Sequence, residues 1–131
     1  MTTSRKHGDS ERGALILSYV IVVPIFLAAL MFVVQGALWY LASEAAMAAA
    51  RQGVDAARVL HAPAGAGTSA ALSFARSAAS GYLLAPQATA AGSSPRTALM
   101  TVSGKVPELV PGLKIHVSEQ AQAPMEKFTT P

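Results

Sequence analysis

The sequence predicts an α+β protein: a long N-terminal membrane-spanning helix that continues outside the bilayer, a second short helix, and a small C-terminal β-hairpin domain. Three observations predict it. From Ala14 to Ser43 about 30 residues pass without one Asp, Glu, Lys or Arg, where about 20 suffice to cross a bilayer. After Ser43 the apolar pattern turns Ala-rich and stays helical. From Thr97 onward it changes to alternating aliphatic and polar residues, the period of a strand.

The first element carries most of the weight. Of 131 residues, 52% are hydrophobic and only 13% charged, more apolar than a soluble domain of this size ordinarily is. About fifteen Leu, Ile, Val and Phe lie between Leu15 and Leu38, and each contributes roughly −0.3 to −0.6 kcal/mol to insertion near the bilayer centre. A cleaved secretory signal is the competing reading, with Arg5, Lys6 and Arg12 as its charged start. Its apolar stretch would be about 7 to 15 residues, half of what is present, so the run reads as an anchor. Arg5, Lys6, His7 and Arg12 precede the run and the next basic residue after it is Arg51, which places the N-terminus in the cytoplasm.

A 30-residue helix is about 45 Å long against roughly 30 Å of hydrocarbon, so it must tilt or project. Trp39 and Tyr40 stand where an interfacial aromatic belt would be, and Ser43 to Leu60 holds strong helix formers with Gly53 as the one weak point. The helix is therefore expected from about Ala14 to about His61, with Pro24 kinking it or loosening one hydrogen bond. Gln35 is the one clearly polar side chain deep in the run, and it either bonds to a partner helix or lies near the outer interface.

The run Pro63 to Gly67 ends that helix, and Thr68 or Ser69 can cap a second one reaching about Ala85, with Leu72, Ala75, Ala79 and Tyr82 or Leu83 as its apolar stripe. Pro86 to Pro95 reads as a loop. Thr97–Val106 and Leu113–Ala123 then read as two strands joined by the turn residues Pro107 to Gly112, a hairpin that must pack on a helix to be stable. The resulting organisation is a basic cytoplasmic tail (1–13), a transmembrane helix (14–42), an extracytoplasmic Ala-rich helix extension (43–61) and a small extracytoplasmic α+β domain (62–131).

Ala45, Ala49, Gly53 and Ala57 recur every four residues, and Ala42, Ala46 and Ala50 form a parallel row. Such rows let helix backbones approach closely, in a membrane or outside it, and are expected to associate with partner helices. The bland alternative is a helix that is simply rich in alanine.

Other function classes are excluded on composition and spacing. Seven of the ten basic residues are spread between Arg51 and Lys127 among Asp55, Glu108, Glu119 and Glu126, so no cationic stripe for nucleic acid forms. The chain has no cysteine, and His7, His61 and His116 lack the spacing of metal ligands. Gly65 to Ala70 lacks the lysine of a phosphate loop, and no Ser, His and Asp arrangement suggests a nucleophile. Neither catalysis nor a cofactor is expected.

At the start of the run the order is Arg12, Gly13, Ala14, Leu15, Ile16, Leu17, Ser18, Tyr19, followed by an apolar helix containing Pro24. This order resembles a prepilin, and more closely the TadE-like pseudopilins of the tight-adherence (Tad/Flp) pilus system. The resemblance covers Arg12 to about Arg58, with the C-terminal half similar only in style. It implies a pilin-like fold, a leader ending at Gly13, a prepilin peptidase that cuts there, and Ala14 as the new N-terminus. Tyr19 matches the Tyr of the Gly-x-x-x-x-Glu-Tyr signature. Ser18 stands where such families carry Glu, whose carboxylate pairs with the freed amine of a neighbouring subunit, and a serine cannot do so. The implied role is a pilin-like assembly or minor subunit, at the tip or start of a filament, in a Tad-type pilus or related secretion system. Its partners would be the lipid bilayer, other pilin-like subunits and the assembly platform. From a different class, a signal-anchored surface protein with a small binding domain remains the alternative.

Overall fold

The computed structural model describes residues 7–127 and contains two helices and three strands. They are α1 (His7–Arg58), α2 (Ala66–Ala78), β1 (Leu84–Thr89), β2 (Thr97–Lys105) and β3 (His116–Pro124). The fold class is α+β. Arg5 and Lys6 of the basic tail lie outside the described residues. The chain divides into two units, one ending at Val34 and the other starting at Gln35.

The first unit is the leading part of α1. Every Leu, Ile, Val and Phe side chain from Leu15 to Val34 is exposed. The helix is continuous through Pro24. It is the one helix among the described residues long and apolar enough to span a membrane, and none of its apolar window is buried inside the fold.

The second unit is built on the remainder of α1. β1, β2 and β3 form one antiparallel sheet in that order, in place of the expected two-stranded hairpin. β2 alternates without a break, with Ala98, Met100, Val102 and Gly104 buried and the residues between them half-buried. The buried side faces the helices, where the core also holds Ala42, Ala46, Ala49, Ala50 and Val54 from α1 and Ala71, Ala75 and Ala79 from α2. β2 and β3 pair residue for residue from Thr97↔Pro124 to Lys105↔His116.

β3 runs beside α1. Ser43 Oγ donates to Glu119 Oε1 at 2.5 Å, and Glu126 N donates to the Arg58 carbonyl at 3.3 Å. The span from Ser43 to Arg58 on a helix is about 22 Å, and from Glu119 to Glu126 on an extended chain about 23 Å, so strand and helix keep pace. The second contact also satisfies a carbonyl left open at the end of α1.

Three expectations are corrected. α2 begins at Ala66, with Gly65 in the left-handed conformation at its N-cap and no side-chain cap from Thr68 or Ser69. Thr68 Oγ1 instead donates back to the Gly65 carbonyl at 2.9 Å. α2 also stops at Ala78, because the chain turns there to carry Leu83 under the sheet, with Leu83 N donating to the Ala79 carbonyl at 2.8 Å. The part of the expected loop from Pro86 to Thr89 belongs to β1, paired with β2 from Leu84↔Lys105 to Thr89↔Thr101, with a bulge between Leu84 and Gln87. Pro86 is tolerated because β1 is an edge strand with a bulge. Residues 43–58 of α1 carry the helical side of the core, and the compact unit starts at Gln35.

Candidate functional site

The apolar surface of α1 from Leu15 to Val34 is the first candidate site. An α-helix that is apolar on every face has no water-facing side and belongs in lipid or among other helices. Gly13, Ala14, Ser18 and Tyr19 lie at the start of this surface, all exposed and within the unbroken helix. A side chain added at Gly13 would meet nothing within 4 Å among the described residues.

The small-residue rows have a different fate. Ala42, Ala45, Ala46, Ala49, Ala50 and Gly53 are buried and Ala57 half-buried, all within this chain's own domain. Their partners are α2 and the sheet rather than a neighbouring subunit's helix. A Cβ placed on Gly53 would lie 2.8 Å from Met100 Cγ, 2.9 Å from Ala71 Cβ and 2.9 Å from the Gly67 carbonyl oxygen. A Cβ on Gly67 would lie 2.7 Å from the Gly53 carbonyl oxygen and 2.8 Å from Ala57 Cβ. α1 and α2 therefore cross backbone to backbone at a glycine pair, with Met100 filling the adjoining space. On α2 the inward row is Gly67, Ala71, Ala75 and Ala79, one residue off the expected stripe at Leu72. The helix that approaches Gly53 this closely is α2 of the same chain.

Gln35, the polar side chain within the apolar run, turns into the domain. It is 2% exposed, and its amide closes on the turn between β2 and β3. Nε2 donates to the Pro107 carbonyl at 3.0 Å, while Oε1 accepts from Leu109 N at 2.8 Å and from Val110 N at 3.4 Å. The turn is further shaped by Gly112, at φ 85°, whose N–H donates to the Glu108 carboxylate. One residue along α1 from the bare apolar segment, a buried glutamine thus holds a loop more than 70 positions away in the chain.

Beside this loop lies a cavity of about 270 Å³ whose rim carries Lys105, Lys114, His116 and Glu108 over Val106 and Ile115. A second cavity, about 210 Å³, is lined mainly by small and apolar groups such as Ala57, Gly67 and Met100 where α1, α2 and β2 meet. Among the described residues no group of three His, Asp or Glu side chains could hold a metal ion. Every buried side-chain nitrogen and oxygen among them has a hydrogen-bond partner, so no orphaned polar group marks a hidden site.

Comparison with protein-family models, curated proteins and solved structures finds no match for the chain.

Proposed function

We propose that the chain is a single-pass protein of the inner (cytoplasmic) membrane, with its N-terminus in the cytoplasm and its domain outside. There it acts as a pilin-like assembly or minor subunit, at the tip or start of a filament, in a Tad-type pilus or related secretion system. The observation that carries this reading is the division of α1. Its first part, Leu15 to Val34, is apolar and bare on every face, and its second part is the packed spine of an antiparallel sheet domain. A helix apolar all round is compatible with lipid and with a bundle of like helices, so one surface serves a subunit before and after it leaves the bilayer.

The TadE-like order Arg12, Gly13, Ala14 and the matching Tyr19 support the same reading. Because the Ala and Gly rows are consumed inside the domain, lateral association falls to the bare segment from Leu15 to Val34. Ser18 provides no carboxylate for a neighbour's freed amine, which favours a minor role over the repeating shaft and also keeps the signal-anchored reading in contention.

N-terminal sequencing of the mature protein is the test. A chain starting at Ala14, together with disulfide crosslinks between cysteines placed at Val22 or Phe26 and pilin-like partners, is the expected result. An intact N-terminal tail with no such crosslinks would move the chain to the signal-anchored class.

A further inference from the structure

The loop held by Gln35 has a position and a chemistry that the pilin-like reading leaves unused. The bare run from Ala14 to Val34 is about 31 Å long as a helix, close to the roughly 30 Å hydrocarbon core. Chain connectivity then brings Gln35 to the hydrocarbon edge. Trp39 and Tyr40, exposed about one turn later, fall at headgroup level. The Gln35 amide is within hydrogen-bond distance of Pro107, Leu109 and Val110, so the loop lies in that same layer.

Its side chains suit the place. Leu109 is 40% exposed at the turn. Lys105 and Lys114, both exposed, stand with His116 around the 270 Å³ cavity, whose floor is apolar. Glu108 shares the rim, but its carboxylate accepts from Gly112 N within the turn. The arrangement offers ammonium groups to a phosphate and aliphatic groups to the glycerol and upper acyl region beneath it, which is the order in which a phospholipid presents them.

We propose that the β2–β3 end of the domain is a second membrane contact: Lys105, Lys114 and His116 take the phosphate of an anionic phospholipid while Leu109 enters the interface. The inference rests on α1 spanning the bilayer.

The test uses the full chain in nanodiscs of phosphatidylcholine, with or without phosphatidylglycerol. Trp39 is the only tryptophan and there is no cysteine, so Leu109→Cys carries a single fluorescent label. Brominated lipids should quench both Trp39 and the label at position 109. Phosphatidylglycerol should deepen the label's quenching and slow amide exchange of residues 106–114 by roughly 10-fold. Lys105→Glu with Lys114→Glu should abolish that lipid dependence and leave Trp39 quenching unchanged. Quenching of Trp39 without quenching at position 109, or a label indifferent to phosphatidylglycerol, overturns this proposal alone. Absence of Trp39 quenching overturns the spanning reading beneath it. Protection of 106–114 by inorganic phosphate in pure phosphatidylcholine, with no response to phosphatidylglycerol, overturns the assignment to lipid.

Discussion

Substituting alanine at Gly53 sets helix propensity against packing, and the outcome depends on whether α1 and α2 cross as closely as described. Alanine in place of glycine inside a helix stabilises by roughly 1 kcal/mol. At Gly53 the added methyl would sit 2.8 Å from Met100 Cγ, 2.9 Å from Ala71 Cβ and 2.9 Å from the Gly67 carbonyl. Met100 can shift its side chain, but the carbonyl and the Ala71 methyl move only with the backbone of α2. Overpacking of this kind costs about 1 to 3 kcal/mol. Gly36, on the same helix, has nothing within 4 Å of an added Cβ and isolates the propensity gain. Relative to Gly36→Ala, Gly53→Ala should therefore destabilise the domain by about 1 to 3 kcal/mol.

Amide exchange at Met100 and Val102, measured on the full chain in nanodiscs, reads the difference directly. Gly67→Ala should behave like Gly53→Ala, since its methyl would meet the Gly53 carbonyl at 2.7 Å. The double substitution should cost less than the sum, because the first separation of the helices makes room for the second methyl, with a coupling of at least about 0.5 kcal/mol. If Gly53→Ala slows exchange as much as Gly36→Ala does, the close crossing is refuted, and the Ala and Gly rows become free for a partner helix again.

Two further perturbations address the other parts of the molecule. Gln35→Ala removes the acceptor of Leu109 N and Val110 N and the donor to Pro107, so those amides should lose about 1 to 3 kcal/mol of protection while the β2 amides change little; unchanged exchange at Leu109 would refute the clamp. Val23→Arg with Leu27→Arg places two charges near the middle of the bare segment, at a cost of roughly 5 to 7 kcal/mol against the roughly 4 to 8 kcal/mol that its aliphatic and aromatic residues supply. Membrane integration, followed by carbonate extraction, should fall to a minor fraction, and full integration would refute spanning by this segment.

The parts of the fold legible in the sequence are those whose signal is local. A charge-free run needs no tertiary knowledge to be recognised, and α1 ends at Arg58, three residues from where the Pro and Gly signals put it. β2 and β3 announce themselves by alternation, because in each strand one face is more deeply covered than the other. β1 carries no such signal. Leu-Ala-Pro-Gln-Ala-Thr has one β-branched residue and a proline, and it is extended only because the edge of β2 is there to pair with it. The small residues of α1 were legible as a packing surface but not as to what they pack against. An i, i+4 row fixes which face is small and how close another backbone can come, and it is silent on whether that backbone is covalently linked. The same limit applies to Gln35, whose three partners lie 72 to 75 positions away.

That glutamine also changes the account of length. Read as one apolar run from Ala14 to Ser43, α1 overshoots the hydrocarbon core by about 15 Å, and tilt or projection has to absorb the excess. A primary amide facing lipid without partners would cost several kcal/mol. The turn after β2 supplies three hydrogen bonds and buries the amide in protein, so the domain extends along α1 as far as Gln35. What is left bare, Ala14 to Val34, matches the core thickness with no tilt required. Gly36, Ala37, Trp39, Tyr40 and Leu41 are exposed beside a folded domain, and with α1 spanning the bilayer as proposed they would fall at the depth where Trp and Tyr are favoured. If α1 spans the bilayer as proposed, the apolar composition of residues 35–42 suits a domain base resting on the leaflet. A span that ends at Val34 would also put Lys105 and Lys114 at the depth of the phosphates, as the proposed lipid contact requires.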